Sequence, residues 1–261
     1  MINNLLFNLL VAHIVGDFYL QWSMLCKNKV TKSIKGKALW AHALMIGGLS
    51  VLVTWDVHAW WLGLAVMISH LLIDWLKSYL QLKYKILTNL TKENSANNLV
   101  AGENKRHDLW LFIIDQIAHL CMLFLLAKIW LIENNDWQQF AWLQDFATNH
   151  PLRLNIIAAM LLALKPANVL ILQILATCKV NAIDDNHGNF HSGELIGWLE
   201  RGLILLFVVM SQYEAIGFLV AAKSILRFSE TSHDEKSEYV LTGTLLSLAI
   251  SLCLGIAVIK M

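Results

Sequence analysis

Ser69-His70-Leu71-Leu72-Ile73-Asp74-Trp75-Leu76-Lys77 has a largely apolar interior that holds a histidine and an aspartate four residues apart. In a helix that spacing puts both side chains on one face, one turn apart. The same pair occurs earlier as His13-Ile14-Val15-Gly16-Asp17, and in reverse order as Asp115-Gln116-Ile117-Ala118-His119. Imidazole and carboxylate are both metal ligands. Three such pairs, each inside an apolar segment, predict a scaffold that brings three helices together around one polar centre.

The chain has 261 residues, of which 57% are hydrophobic and 15% charged, with two prolines. An average soluble domain is about a quarter charged. Apolar runs near the roughly 20 residues needed to cross a bilayer recur along the whole length. The fold class predicted is all-α: a polytopic transmembrane bundle of about eight helices. The net charge of +1 carries no expectation of nucleic acid, because the positive charges are local. The first segment lacks a basic n-region and carries His13 and Asp17, so no cleavable signal peptide is expected. Cys26, Cys121, Cys178 and Cys253 are scattered in or beside apolar segments, and read as small packing residues rather than as a disulfide framework or a CxxC site.

Helices are predicted at 4–22, 38–55, 58–77 (with a continuation to 85 open), 108–132, 151–178, 194–212, 215–228 and 239–259. The stretches 88–107 and 133–150 read as polar linkers, and Lys165-Pro166 as an interruption of the fifth helix. The seventh helix is short enough to be re-entrant or tilted. The chain divides into an N-terminal four-helix membrane bundle, 1–133, carrying the His/Asp set, and a C-terminal helical membrane region, 134–261.

Lysines and arginines set the orientation. The linkers after helices one, three, five and seven carry nearly all those outside the apolar runs, beginning with Lys27, Lys29, Lys32, Lys35 and Lys37. Those linkers are therefore expected on the cytoplasmic side. Asp17 then lies roughly 7 Å from the inner end of its helix, at 1.5 Å per residue, with His13 one turn deeper. The same count puts His42, His70, Asp74, Asp115 and His119 in the cytoplasmic half of the bilayer. No residue of the site entered the orientation argument, so the agreement in depth is independent of it.

Buried ionisable groups are costly in a membrane unless partnered, which makes them functional candidates. A single pair of this kind would read as a hydrogen-bonded clip between helices. Three pairs with His42 at one depth point instead to a divalent metal, zinc by its mixed nitrogen and oxygen ligands, with manganese or iron as alternatives. The expected ligands are His13, Asp17, His42, His70, Asp74, Asp115 and His119, with Asp74, His70 and Asp115 in catalytic roles. Seven candidate ligands exceed what one tetrahedral zinc needs. They suit one ion or two, and two ions about 3.5–4 Å apart clamp a phosphoryl group and activate a water between them. Gln21 is placed to orient a ligand, and Lys77 to face a substrate phosphate or to snorkel to the interface. His58, His107 and His150 read as interfacial, Asp56 as a turn residue, and Asp184, Asp185, His187 and His191 as a possible second binding loop.

The second half has its own polar set. Glu200 and Arg201 are adjacent, so they point about 100° apart on a helix. They pair either with Lys223, Arg227 or another carboxylate in an ion-pair network, or form, with Lys223 and Arg227, a cationic pocket for an anionic headgroup.

The segments His13-x-x-Gly16-Asp17-Phe18-x-x-Gln21, His42, His70-x-x-x-Asp74-x-x-Lys77, Asp115-Gln116-x-x-His119, Ile196-Gly197-x-x-Glu200-Arg201, Ala222-Lys223-Ser224-Ile225-x-Arg227-Phe228 and Glu238-Tyr239-x-Leu241-x-Gly243-Thr244 resemble the bacterial membrane proteins grouped as a domain-of-unknown-function family, number 3307. The resemblance implies an integral membrane protein and no settled activity. A more distant similarity, in the ligand pairs alone, is to membrane-bound metal-dependent hydrolases and to the helical zinc-dependent phospholipases and nucleases. The N-terminal tryptophan ligand and the ligand order of the latter are not matched.

The function expected is an inner-membrane metal-dependent hydrolase acting on a phosphoester or lipid-linked substrate at the cytoplasmic leaflet. Its expected partners are the bilayer and an anionic lipid or phosphoester, with no nucleic acid. The alternatives are a metal-ion or proton transporter, since such residues also line ion pathways, and a signalling or defence protein with a structural metal. The outer halves of the first four helices look almost wholly apolar, which disfavours a pathway.

Overall fold

A computed structural model describes residues 2–20, 37–54, 59–92, 97–133, 151–177, 192–228 and 234–260. The described residues are helical, without strands. Helix α1 (Ile2–Ile14) runs into a π-helical turn, Val15–Tyr19. It is followed by α2 (Lys37–Thr54), α3 (Trp60–Lys92) and α4 (Asn97–Glu133). Then come α5 (Pro151–Thr177), α6 (Ser192–Val209), α7 (Tyr213–Phe228) and α8 (Asp234–Lys260). They fall into two compact units, Met1–Phe146 and Ala147–Met261.

Three segments are long and apolar enough to cross a membrane: Lys105–Glu133, Asn155–Thr177 and Leu241–Lys260. Leu5–Tyr19 and Ala38–Thr54 are apolar but shorter. The 16 residues of α7 span about 24 Å, short of the roughly 30 Å hydrocarbon core. The described residues thus hold the expected eight helices, of which three are long and apolar enough to span a membrane and the others are shorter or less apolar.

The largest departures from the predicted boundaries lie in one stretch. The stretch 88–107 is helical on both sides of 93–96, because α3 continues to Lys92 and α4 starts at Asn97. The stretch holds no proline, and its single glycine, Gly102, lies within α4 without ending it. Helix α5 also runs unbroken through Pro166. Cys121 and Cys253 are exposed rather than packed.

In the first unit α1 packs on α2 and α4, and α3 packs on α2 and α4, closing a four-helix ring. One level of this ring is a dry core: Leu5 and Leu9 of α1, Ile46 of α2, Leu62 and Val66 of α3, and Leu123, Ala127 and Trp130 of α4. Helices α2 and α3 approach closely at two glycines. A Cβ on Gly47 would lie 2.7 Å from the Gly63 carbonyl oxygen, and a Cβ on Gly63 2.9 Å from that of Gly47. Small residues at such a crossing let two backbones meet.

The outward faces are apolar. Trp40, Leu44, Leu52, Trp60, Leu64, Leu72, Ile114, Ile117 and Leu125 are all exposed. In the second unit α5, α6 and α8 pack mutually and α7 adjoins α6. Its core includes Ala159, Ala163, Leu205 and Val258, with Ile204, Val208 and Ile216 in a second cluster.

Candidate metal centre

Reading α1 from Leu5 and Leu9 to His13 and Asp17, four residues at a step, passes from the dry core into a polar layer. The same transition runs from Ile46 back to His42 on α2, from Val66 to His70 and Asp74 on α3, and from Leu123 back to His119 and Asp115 on α4. Alternating chain direction therefore stacks all four polar sets at one end of the core. His13, His42, His70, Asp74, Asp115 and His119 are buried, and the Asp17 side chain is 11% exposed.

The π turn belongs to this layer. Its wide bond runs from the Leu20 amide to the Val15 carbonyl, 2.9 Å, and Asp17 sits inside it. Such turns recur at functional sites because they re-aim one side chain. Gly16 makes room for it: a Cβ there would fall 2.0 Å from Ile46 Cδ1.

Asp17 Oδ1 lies 2.9 Å from His42 Nε2 and 3.3 Å from His70 Nε2, and those two nitrogens are 3.0 Å apart. Three atoms able to serve as metal ligands thus lie within 3.3 Å of one another. Ligand atoms around a tetrahedral zinc are about 3.3 Å apart, given bonds of about 2.0–2.1 Å. The other carboxylate oxygen, Asp17 Oδ2, faces His13 Nε2 at 3.8 Å. Asp74 Oδ2 lies 3.8 Å from the Nε2 atoms of both His42 and His70.

His119 Nδ1 is 2.9 Å from the Asp115 carbonyl oxygen. A carbonyl only accepts, so Nδ1 carries the hydrogen and Nε2 of the neutral ring carries the lone pair. That Nε2 is buried with no hydrogen-bond partner, and so is His13 Nε2. The rings of His13 and His119 stack at 5.1 Å, and those of His70 and His119 lie 4.2 Å apart. Buried orphan nitrogens are expensive unless something outside the polypeptide satisfies them. A histidine that donates its far nitrogen to a carbonyl has the usual outer-shell support of a metal ligand.

Three groups have ligand atoms all within 4.8 Å of one another: His13, Asp17 and His119; Asp17, His42 and His70; His70, Asp74 and His119. Of the seven expected ligands, six converge in this way. Asp115 is oriented otherwise. Its Oδ2 accepts from Lys77 Nζ at 2.7 Å and from Gln116 Nε2 at 3.2 Å. Lys77, expected to face a substrate phosphate or the interface, closes on Asp115 and lies 5.8 Å from the Phe112 ring centroid. The Asp115 contact to Lys77 crosses between helices, so spacing within one helix does not reveal it. Gln21, Asp56, His58, His150, Asp184, Asp185, His187 and His191 lie outside the described residues. His107 stacks on Tyr84, with centroids 3.6 Å apart.

In the second unit Lys223 Nζ donates to Glu200 Oε2. Arg201 is buried and donates to the carbonyls of Ala163 and Leu164, and to Asn168 Oδ1 at 3.4 Å. Pro166 has no N–H for the carbonyl of Leu162, and its ring crowds the carbonyls beside it. The guanidinium donates to carbonyls in the turn just before Pro166, next to the one that lacks its partner. Backbone carbonyls are thus among the partners of Arg201. The side chain of Arg227 lies outside the described residues.

The family model described as "Protein of unknown function (DUF3307)" matches residues 5–148, more than half of the chain. The chain belongs to this family. The match holds all seven candidate ligands, whereas the motifs from Ile196 onward lie beyond it. No curated protein and no solved structure matches the chain.

Proposed function

We propose that this is a multi-pass inner-membrane protein of bacteria, and that it hydrolyses a phosphoester at a divalent metal centre near the cytoplasmic face. The observation that carries the reading is the convergence of His13, Asp17, His42, His70, Asp74 and His119, from four helices, into one buried cluster with orphaned ring nitrogens. A ligand set of nitrogen and oxygen favours zinc, with manganese or iron as alternatives. When bound, such an ion supplies Lewis acidity toward a phosphoryl oxygen and lowers the pKa of water. The chain's own residues hold and orient. His119 is fixed in its tautomer by the Asp115 carbonyl, and Lys77 is held at the rim of the polar layer by Asp115 Oδ2.

Membrane placement is supported by the three long apolar helices and by the exposed tryptophans, leucines and isoleucines of the outer faces. A soluble monomer rarely exposes that much contiguous apolar surface. The dry layer next to the cluster disfavours an ion pathway through the first unit. Its polar side chains there are tied to carbonyls: Ser50 to Ile46, Thr54 to Val51 and Asn8 to Val53.

The test is turnover of aryl phosphates, and of phosphatidyl substrates in mixed micelles, by zinc- or manganese-loaded protein. Metal-dependent hydrolysis is expected, and Asp74→Asn should lower kcat at least a hundredfold while leaving a folded protein in the membrane. Metal bound without turnover of any substrate would favour a structural centre, and an unchanged rate in Asp74→Asn would remove the hydrolase reading.

A further inference from the structure

The three overlapping groups differ in what they share. The first and second share only Asp17, the second and third only His70, and the first and third only His119. A ring nitrogen has one lone pair and serves one cation at a time, whereas a carboxylate has two oxygens and can bridge two. Nδ1 of His119 is already committed to the Asp115 carbonyl. The group of His70, Asp74 and His119 therefore competes with both others. The other two can be filled together, provided Asp17 gives one oxygen to each.

Asp17 is placed to do so. Its Oδ1 faces His42 and His70, at 2.9 and 3.3 Å, and its Oδ2 faces His13 at 3.8 Å. We infer that the centre holds two divalent ions bridged by the Asp17 carboxylate, one on His42 and His70 and the other on His13 and His119. Asp74, 3.8 Å from both His42 and His70 nitrogens, completes the first of the two. This rests on the reading of the cluster as a metal centre, and it replaces a count of one or two ions by a definite number and a named bridge. It also explains why Asp17 sits in a π turn: the wider turn points the carboxylate between two histidine pairs instead of at one.

The test uses the full-length protein in detergent, with manganese as the probe. Metal content is read by plasma mass spectrometry and coupling by electron paramagnetic resonance. Wild type should take up two ions per chain and show an exchange-coupled signal. His13→Ala and His42→Ala should each retain one ion and show the six-line signal of an isolated manganese. Asp17→Asn keeps the size of the side chain but leaves one oxygen to coordinate. It should lose the coupled signal while His42 and His70 still hold an ion. One ion per chain at saturation in wild type, or a coupled signal that survives Asp17→Asn, would overturn the bridge and leave the metal centre standing. No metal in wild type at any concentration would overturn both.

Discussion

At His119, the carbonyl of Asp115 one turn earlier fixes which ring nitrogen carries the hydrogen. The residue types and their four-residue spacing are legible in the sequence because polar groups stand out in an apolar segment. The tautomer is not, since it depends on which backbone group the folded ring meets. The Lys77–Asp115 pair is hidden for the same reason: its partners are on different helices, 38 residues apart. The Asp115 side chain is only 3% exposed, while that of Lys77 is 26% exposed. Removing the cation leaves a buried carboxylate without its charge partner. Lys77→Met is therefore expected to destabilise the protein by about 2–3 kcal/mol. Replacing both, as Lys77→Met with Asp115→Leu, should recover all but about 1 kcal/mol. Thermal unfolding of the metal-free protein in detergent reads both, and a double variant no more stable than the single one would show that Asp115 is held by groups other than Lys77.

Among the elements, the periodic apolar segments of α2, α3 and α4 carry their own signal, and the polar layer follows from their alternating direction. The π turn at Val15–Tyr19 has no such signal, because an extra residue in one turn leaves composition and spacing unchanged. Pro166 misleads because α5 runs through it, and the guanidinium on the carbonyls of the preceding turn comes from another helix. The close approach of α2 and α3 is likewise invisible until the two glycines are seen to face each other's carbonyls. It yields a prediction with an internal control. A methyl group on Gly47 meets the Gly63 carbonyl at 2.7 Å, and backbone cannot swing aside as a side chain does. Gly47→Ala should cost about 1–3 kcal/mol. By spreading α2 from α3 it should also separate His42 from His70 and weaken metal retention. Gly48, its neighbour, has nothing within 4 Å of an added Cβ, so Gly48→Ala should be neutral or slightly stabilising. Equal melting temperatures for the two alanine variants would mean that the crossing is looser than the glycines indicate.

For the whole molecule, the boundary of the first compact unit at Phe146 nearly coincides with the end of the family match at residue 148. The six converging ligands, the dry core above them and the Lys77–Asp115 pair all belong to that unit. Its four helices form a closed ring, so every helix already has two neighbours within the unit. Membrane helices associate through such packing and through buried polar contacts, and this unit supplies both from its own four helices. A fragment of residues 1–146 is therefore expected to insert in the membrane and to bind the same number of manganese ions as the full chain. Conversely, Arg201→Ala removes the donors that hold the carbonyls beside Pro166 in the second unit. It should lower the thermal stability of the full chain without changing its metal content. Metal content of the fragment and of the Arg201 variant, measured side by side, separates the two units. A fragment that inserts but binds no metal would mean that residues after 146 complete the centre, and that the family match marks only part of what the site requires.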